Sequence, residues 1–420
     1  MRPVEVQSTA PSFEDLDFPA SPVSLGRTLP SPFGGAGGVL VPFHGSDGEP
    51  LAQEDVLWVR APRLGRNATK ASVFDGISAS DVIQGDLGDC WLMAVLAALA
   101  EFPGAVRRLF VDAAGAPSDA LSPAGHYRVR LFDIVLGAWE TVEIDDRIPC
   151  DPRSTTPVFS RPIDDEIWVL LLEKALAKWC GSYGALHFSI GSSWALEVLC
   201  GVPKTEVHAN AALAALFGGP RLSGALCGFP FIRTITDHER QCQDARNPRG
   251  LAFDLRAPRT IAAPADLFAE LMGADRKHCV MTATIARPGA TGGEVFLENG
   301  LVANHVYSLI HLIEVSQVQI VCLRNPWGDR EWRGDWSDAS PLWVKHPIVR
   351  DAAGFDGAKP DGLFWMSFED FTQNFNFVEV AAMDPCFERE EKRKRCAGKS
   401  HVLENCPECS PECYSSCMLL

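Results

Sequence analysis

Apolar positions along this chain follow two patterns, one typical of helices and one typical of strands. The run at 91–100 is almost entirely apolar and predicts a buried helix, and 166–179 carries polar residues that interrupt an apolar face. Residues 127–132 alternate as a strand does. After about residue 201, short β-rich runs separated by Gly and Asn dominate: 280–285, 305–310 and 318–323. We therefore expect an α+β protein with a helical half followed by a mainly antiparallel β half.

The same patterns divide the chain into four segments. Residues 1–50 are rich in Pro, Gly and Ser with few periodic apolar positions, which predicts a flexible arm. Residues 51–200 form the helical part and 201–385 the β-rich part. Residues 386–420 form a polar, charged and Cys-rich tail, and no internal repeat is found.

Composition narrows the class of protein. A hydrophobic fraction of 46% is typical of a globular protein with a substantial core, and a net charge of −16 argues against a nucleic-acid partner. The first residues lack the apolar stretch of a secretory signal, and no run of about 18 apolar residues predicts a membrane span. The fourteen cysteines are scattered and several lie in apolar segments, so we expect mostly free thiols and a cytoplasmic protein.

Candidate chemistry begins at 84–91, where a turn with two glycines and two aspartates leads into the predicted helix. Cys90 lies at the start of that helix, where unpaired backbone N–H groups and the helix dipole favour the nucleophilic thiolate. Gln84, six residues earlier, can donate its amide to a developing oxyanion. A lone Cys in such a run is more often a core residue, but the Gln, the glycine turn and the Cys-Trp pair together favour a nucleophile.

A cysteine nucleophile needs a base, and the base needs a group that orients it. Among ten histidines, His305 stands at the mouth of a predicted strand directly after a turn-prone segment. Asn325 follows the next strand and can accept from the imidazole, with Trp327 shielding that bond from water. Alone, His305 is compatible with an ordinary loop histidine and Asn325, before Pro326, with the start of a turn. The order of the three residues along the chain, Cys, then His, then Asn, favours their interpretation as a nucleophile, its base and the group that orients the base.

These motifs resemble the three active-site blocks of the calpain cysteine protease core: 84–91, 304–308 and 324–328. The resemblance extends over about 51–385 and includes three further blocks in the same order: 171–175, 331–338 and 361–368. It implies a papain-like fold of two lobes, with Cys90 on the first lobe and His305 and Asn325 on the second.

The resemblance also implies hydrolysis of peptide bonds in protein substrates through a thioester. By this analogy Cys90 attacks, His305 shuttles the proton and Asn325 orients His305. Gln84 and the backbone N–H of Cys90 hold the oxyanion.

Calcium is the cofactor that the resemblance implies, bound within the core, and it implies no redox or nucleotide cofactor. The positions that match the first-lobe site are the carboxylates of Asp81 and Glu173 and the carbonyls of Phe74 and Gly76. Calcium takes six to eight oxygen ligands of these types. Without the resemblance, these acids read as solvated loop carboxylates.

The positions that match the second-lobe calcium site are Glu331, Asp338 and Asp361, with a carbonyl near Lys359. Leu363 stands where the family usually has a further Glu. This replacement removes one charge and up to two oxygens from the second site.

Two other departures from the family pattern concern the cleft. The residue before the histidine is usually Gly, so Asn304 must adopt its backbone geometry, and Asn tolerates positive φ better than most residues. Residues 186–200 lack the Gly/Ser-rich, Glu-containing run expected at the cleft edge, so specificity is expected to differ. No EF-hand loop pattern is found, so we expect a monomer without a small regulatory subunit.

The tail carries a further prediction. Cys417 lies fourth from the end before Met, Leu and Leu, which fits a geranylgeranylation box. The basic cluster at 392–395 supplies a second signal for an anionic membrane surface. A weaker alternative is a zinc knuckle, whose four ligands would be Cys406, Cys409, Cys413 and Cys417. It is weaker because the loop between the two cysteine pairs is too short to fit a tetrahedral site easily. A tail without a role is the third possibility.

The leading hypothesis is a calcium-dependent cysteine endopeptidase that performs limited proteolysis and is held at a membrane by its tail. The main alternative is a catalytically weak or inactive calpain-like scaffold, although such a protein usually lacks the Cys, the His or the Asn. A papain-like transferase or deubiquitinating enzyme uses the same chemistry but would lack the acids Asp81 and Glu173.

Overall fold

The computed structural model describes most of the chain between residues 12 and 382. The described ranges are 12–26, 28–29, 39–40, 43–45, 48–65, 69–134, 136–187, 191–202, 205–210, 259–261, 263–287 and 294–382. They form two lobes, one built around a buried helix and one around a twisted antiparallel sheet, and the predicted two-lobed α+β fold is confirmed.

The first lobe is organised by helix α2 (Cys90–Ala100), in which every residue is buried. This explains the uninterrupted apolar run, since a helix surrounded on all sides by protein has no polar face. The other helices of this lobe are α1 (Pro22–Leu25), α3 (Pro103–Arg107), α4 (Trp168–Cys180), α5 (Tyr183–His187) and α6 (Ser192–Cys200). Gly181 and Gly201 end α4 and α6 in the left-handed conformation that glycine adopts without strain.

Short antiparallel sheets complete the first lobe. The strands are β1 (Thr28–Leu29), β2 (Val39–Leu40), β3 (Leu57–Arg60), β4 (Phe110–Val111), β5 (His126–Asp133), β6 (Ala138–Asp145) and β7 (Arg147–Cys150). They pair as β1 with β2, β3 with β7, and β4-β5-β6. The predicted strand at 127–132 is therefore the middle strand of a three-stranded sheet.

The second lobe is organised by a seven-stranded sheet of order β15-β14-β13-β10-β16-β8-β9. Its strands are β8 (Glu206–Asn210), β9 (Arg259–Ile261), β10 (Val280–Ile285), β13 (His305–Val315), β14 (Val318–Arg324), β15 (Leu363–Ser367) and β16 (Phe377–Ala381). All neighbours are antiparallel except β8 and β9. A separate hairpin pairs β11 (Val295–Phe296) with β12 (Val302–Ala303).

Helices of the second lobe lie at the ends and faces of this sheet: α7 (Pro264–Arg276), α8 (Leu342–Lys345), α9 (Pro347–Ala353) and α10 (Phe368–Asn374). No helix in the described ranges combines the length and apolarity needed to cross a bilayer.

Direct hydrogen bonds join the two lobes beside the cleft. The Ser308 hydroxyl of β13 donates to the Ala94 carbonyl of α2 at 2.7 Å, with both groups buried. The Gln84 N–H donates to the Pro326 carbonyl at 3.0 Å. The helix that begins at Cys90 is therefore tied to the strand that begins at His305.

Part of the predicted flexible arm at 1–50 packs on the first lobe, so that prediction is wrong for these residues. Phe18, Leu25 and Phe43 are at most 2% exposed and belong to the same hydrophobic core as α2. Asp15 accepts from the Lys178 ammonium at 2.8 Å. Single well-spaced apolar residues are enough to anchor a segment without producing a periodic pattern. The tail at 386–420, with Cys417, lies outside the described residues.

Candidate active site

Cys90 opens α2 and is 9% exposed. The turn before it is held from two directions. Gly85 lies so close to the Phe159 carbonyl that an added Cβ would come within 1.7 Å of the oxygen. His187 accepts the Gly88 N–H at its Nδ1, with 3.0 Å between the two nitrogens. These contacts position the thiol at the start of the helix, as the sequence predicts.

Gln84 lies in the same turn and is 8% exposed. Its Nε2 donates to the Leu87 carbonyl at 2.7 Å, and its Oε1 has no hydrogen-bond partner in the described part of the chain. An amide nitrogen carries two hydrogens, so the second remains available to an oxyanion beside Cys90.

His305 begins β13 and its side chain is fully buried. Pairing with Ile285 of β10 fixes its place in the sheet. Asn304 adopts φ +59°, the left-handed geometry that the sequence requires of the residue in the family's Gly position. Its Oδ1 accepts the Arg287 N–H at 3.0 Å, which secures this turn into the strand.

Asn325 follows β14 and orients the imidazole. Its Oδ1 accepts from His305 Nε2 at 2.9 Å and from the Trp327 N–H at 3.1 Å, while its Nδ2 donates to the Arg330 carbonyl at 3.1 Å. The Trp327 ring lies 4.7 Å from the His305 ring, and Asn325 is 0% exposed. Because the carbonyl oxygen only accepts, His305 Nε2 carries a proton and Nδ1 is the nitrogen directed into the cleft.

Glu294 is a residue of this site that sequence reasoning missed. Its Oε1 lies 2.5 Å from His305 Nδ1, and its side chain is 29% exposed. Ligand atoms of Cys90, Glu294 and His305 all lie within 4.8 Å of one another. Glu294 belongs to no motif and lies just before the short hairpin of β11 and β12, so no periodic signal marks it.

Asp81 lies in a 3-10 turn, Ala79–Asp81, and is 8% exposed. Its carboxylate accepts from the Ser78 N–H at 2.7 Å and the Ser78 hydroxyl at 2.9 Å. Burial raises the pKa of Asp81, and these hydrogen bonds oppose the rise.

Glu166 is the carboxylate that interacts with Asp81, although the sequence points to Glu173. Burial and the nearby Asp81 charge raise the pKa of Glu166 to about 7, while the Asp75 N–H lowers it. Asp75 stands between Phe74 and Gly76, the two residues predicted to supply carbonyls. Gly76 has φ +93°, and the Phe74 ring packs edge-on against the first-lobe core. Glu166, Asp81 and the 74–76 loop therefore form one cluster.

Glu173 faces another part of the first lobe. Its oxygens accept from the Ser160 N–H at 3.1 and 3.2 Å and from the Ser160 hydroxyl at 2.7 Å. Burial raises the pKa of Glu173 to about 7, against the hydrogen bonds from Ser160. Burial and the Glu173 charge raise the pKa of Asp89 well above its usual range. Glu173 is thus a buried partner of the residue before Cys90.

The second-lobe acids do come together. Glu331 accepts the Gly362 N–H at 2.9 Å and Asp338 accepts the Lys359 N–H at 2.9 Å. Burial raises the pKa of Glu331, with the charges of Asp338 and Asp361 adding to the rise. Asp361 accepts the N–H of Leu363, the residue that replaces the expected Glu, at 3.0 Å.

Arg324 connects the two acidic clusters. It is 1% exposed, and it donates from Nη2 to the Ser80 carbonyl at 3.4 Å. Burial lowers its pKa to about 10, while attraction to Asp361 and Asp81 opposes that shift. One buried guanidinium at the end of β14 therefore interacts with acids of both lobes.

Comparison with known proteins agrees with this geometry. The family profile described as Calpain family cysteine protease matches residues 13–382. Calpain-9 of Rattus norvegicus is 30% identical over 379 residues, which are 89% of this chain and 43% of that protein. A calpain of Schistosoma mansoni is 30% identical over 376 residues, covering 88% of this chain and 39% of that protein.

A third relative, calpain-8 of Mus musculus, is 28% identical over 378 residues, again 89% of this chain and 43% of the relative. The chain spans less than half the length of these curated relatives. The match nevertheless covers both lobes, the cleft and all the site residues described above. The chain belongs to the calpain family of cysteine proteases.

Proposed function

We propose that the protein is a calcium-dependent intracellular cysteine endopeptidase that cleaves protein substrates at few sites. The observation that carries the proposal is the 2.9 Å bond from His305 Nε2 to Asn325 Oδ1, which directs Nδ1 toward Cys90. Belonging to a family of cysteine proteases supports the reaction type.

In the proposed reaction the Cys90 thiol gives its proton to His305 Nδ1, and Sγ forms a bond to the substrate carbonyl carbon. The Gln84 amide and the Cys90 N–H donate to the oxyanion. His305 then protonates the amide nitrogen as the C–N bond breaks, which releases the amine and leaves a thioester. Water attacks the thioester, His305 takes its proton, and the Cys90 sulfur leaves with that proton restored.

For calcium, the first-lobe residues fit the ion. Asp81 and Glu166 are 8% and 7% exposed, and Glu166 Oε2 is buried with no hydrogen-bond partner in the described ranges. Two such carboxylates with the carbonyls of Phe74 and Gly76 form an all-oxygen donor set, which is what calcium binds. Bound calcium would neutralise their mutual repulsion. We propose Glu166, in place of Glu173, as the second carboxylate of this site.

For the second-lobe site we propose Glu331, Asp338 and Asp361. The mutual repulsion of these acids supports it, since a cation between them would relieve the repulsion. Leu363 offers no oxygen, so we expect this site to bind calcium more weakly than the first.

Cleavage of casein by the purified full chain, with calcium and with a calcium chelator, tests this proposal. We expect fragments with calcium, little cleavage with the chelator, and none for Cys90→Ser under either condition. Full activity in the chelator would overturn calcium dependence. Absence of cleavage under every condition would contradict the enzyme and favour a calpain-like binding scaffold. The lipid attachment predicted at Cys417 stays a prediction.

A further inference from the structure

Beside Cys90 and His305 the cleft holds a third side chain, Glu294, to which the proposed peptide hydrolysis assigns no role. Cys90, Glu294 and His305 each offer one ligand atom, and these three atoms lie within 4.8 Å of one another. In the described part of the chain this is the one set of three His, Cys, Asp or Glu side chains gathered so closely. The acidic clusters proposed for calcium are more open.

The ligand types select the kind of ion. A thiolate, an imidazole nitrogen and a carboxylate oxygen suit zinc, whereas calcium and magnesium take oxygen ligands. Catalytic and inhibitory zinc sites commonly use three protein ligands and leave a fourth position to water. Ligand atoms around a tetrahedral zinc lie roughly 3.3–3.8 Å apart. Zinc would therefore draw the most distant pair of ligand atoms together by about 1 Å and separate His305 Nδ1 from Glu294 Oε1, now 2.5 Å apart, by a similar amount.

The imidazole already has the orientation that a metal ligand needs. Asn325 Oδ1 accepts from His305 Nε2 at 2.9 Å, which leaves Nδ1 facing both Glu294 and Cys90. Metal-binding histidines typically donate their other ring N–H to a carbonyl or carboxylate in this way. The His305 side chain is fully buried, so packing also restricts its rotation.

Glu294 is the most exposed of the three side chains and is therefore the first that a metal ion from solvent would meet. Its side chain is 29% exposed, while His305 is 0% exposed and Cys90 is 9% exposed. A carboxylate at the solvent side of a thiol–imidazole pair gives an incoming cation a first ligand, and the two softer ligands lie directly behind it.

We propose that Zn²⁺ binds Cys90 Sγ, His305 Nδ1 and a Glu294 carboxylate oxygen, and that it reversibly blocks the active site. Binding forms three metal–ligand bonds and releases to solvent the single proton that Cys90 Sγ and His305 Nδ1 hold between them, while Nε2 keeps its proton on Asn325. The sulfur lone pair and Nδ1 are then engaged by the metal, so neither can attack or shuttle a proton. The inhibitory consequence rests on the proposed protease function, but the metal site itself does not.

The test measures metal binding directly on the full chain. The tail cysteines can also bind zinc, so the background carries six serine substitutions: Cys386→Ser, Cys396→Ser, Cys406→Ser, Cys409→Ser, Cys413→Ser and Cys417→Ser. Cobalt, added as a spectroscopic substitute for zinc, reports thiolate ligation by its near-ultraviolet charge-transfer absorption, and zinc then displaces it. A phosphine keeps the thiols reduced without competing for the metal.

Glu294→Gln is the informative variant, and Glu298→Gln is its matched control on an exposed position of the same segment. We expect Glu294→Gln to weaken zinc binding at least about tenfold and Glu298→Gln to change it less than about twofold. Cys90→Ser should abolish the cobalt–thiolate absorption. Equal zinc affinity in the two glutamine variants, or a cobalt spectrum unchanged by Cys90→Ser, would overturn the proposal.

Zinc inhibition of casein cleavage, normalised to the activity of each variant without zinc, adds the functional readout. Inhibition should require about tenfold more zinc in Glu294→Gln than in Glu298→Gln. If the chain cleaves casein but no metal binds at Cys90, the zinc site is refuted and the protease function is retained. If zinc binding depends on Glu294 but the chain cleaves nothing, the zinc site is supported and the protease function is refuted.

Discussion

The two sides of the cleft reach their positions by different physical routes. The first lobe delivers Cys90 by local structure, because a tight glycine turn leads directly into a fully buried helix. The second lobe delivers His305 and Asn325 by long-range pairing, from the ends of neighbouring strands of a seven-stranded sheet. The proposed nucleophile is therefore positioned within one segment, whereas the position of its proposed base depends on the assembly of a whole lobe.

The same contrast applies to the acidic clusters. The carboxylates of the first-lobe cluster, Asp81 and Glu166, are buried, and Asp81 lies nine residues before Cys90 in the chain. The second-lobe cluster is partly exposed and lacks the carboxylate that Leu363 replaces. Arg324 interacts with both. If calcium binds as we propose, we expect it to act mainly through the first lobe, which holds Cys90.

The largest expected effect comes from the first lobe. Cys90→Ser should lower kcat/KM for a peptide substrate by at least about 10⁴-fold, because the hydroxyl is a far weaker nucleophile in this setting. Cys180→Ser is the matched control, since Cys180 is also 9% exposed but lies at the end of α4. Comparable activity in the two variants would show that Cys90 is not the nucleophile.

The second lobe should show a large but smaller effect. Asn325→Ala should lower kcat/KM about 10²–10⁴-fold by freeing the imidazole, with little change in KM. Asn299→Ala, which removes a hydrogen bond to Asn374 within the same lobe, should leave the rate within about threefold. A drop of similar size in both variants, measured by steady-state kinetics, would point to lost lobe stability instead of lost orientation.

Substitution of Glu166 and of Glu173 in turn tests which of the two is the second carboxylate of the first-lobe calcium site. Glu166→Gln should raise the calcium concentration for half-maximal activity about tenfold, because the site loses one charged ligand. Glu173→Gln should leave it nearly unchanged, since its carboxylate faces Ser160 and Asp89. Calcium titrations of activity and of intrinsic fluorescence check this, and the opposite ranking would return Glu173 to the site.

The smallest expected effect is on the pH dependence of stability, through Glu379, which contacts residues of both lobes. Glu379 of β16 accepts the Thr282 hydroxyl at 3.0 Å and also interacts with Ser192 of the first lobe. Burial raises its pKa to about 7 from 4.5, so the folded protein holds more protons than the unfolded chain between these values. This group's contribution to stability is complete below pH 4.5 and is lost as the pH rises through about 7.

Glu379→Gln should therefore flatten the pH dependence of stability. Urea unfolding at pH 5 and pH 8 should show a loss that is smaller in the variant by roughly 1–3 kcal/mol. Glu298→Gln, at an exposed position, should keep the wild-type pH dependence. An unchanged pH dependence in Glu379→Gln would mean that Glu379 is ionised in the folded state at both pH values.

The features that could be predicted from the sequence are those that a local residue pattern or the family resemblance encodes. The apolar run after Cys90 predicts the buried helix. The resemblance, which places Asn304 where the family usually has Gly, predicts the positive φ that the structure has. Sequence reasoning missed Glu294, which reaches His305 through the β11–β12 hairpin, in which Val295 pairs with Ala303. The two residues are only 11 positions apart, but so short a hairpin leaves no periodic signal in the sequence.

The resemblance assigns Glu173 to the first-lobe calcium site, whereas we propose Glu166, and the sequence pattern alone does not separate the two. Both glutamates flank the same apolar run, and seven residues are about two helical turns, so periodicity assigns them to similar faces. The helix, however, begins at Trp168, and Glu166 lies before it and pairs as a bridge with Ser72. Backbone outside the helix turns its carboxylate toward the loop at 74–76, which the pattern alone does not encode.

We propose that His305, held by Asn325, activates Cys90 when calcium is bound. A thiol-directed epoxide, followed by peptide mapping, tests it on the full chain. We predict that the label appears on Cys90, faster with calcium than with a chelator, and about a hundredfold slower in His305→Ala. Labelling of Cys90 that is no faster than that of exposed cysteines, and indifferent to calcium and to His305→Ala, would contradict the account.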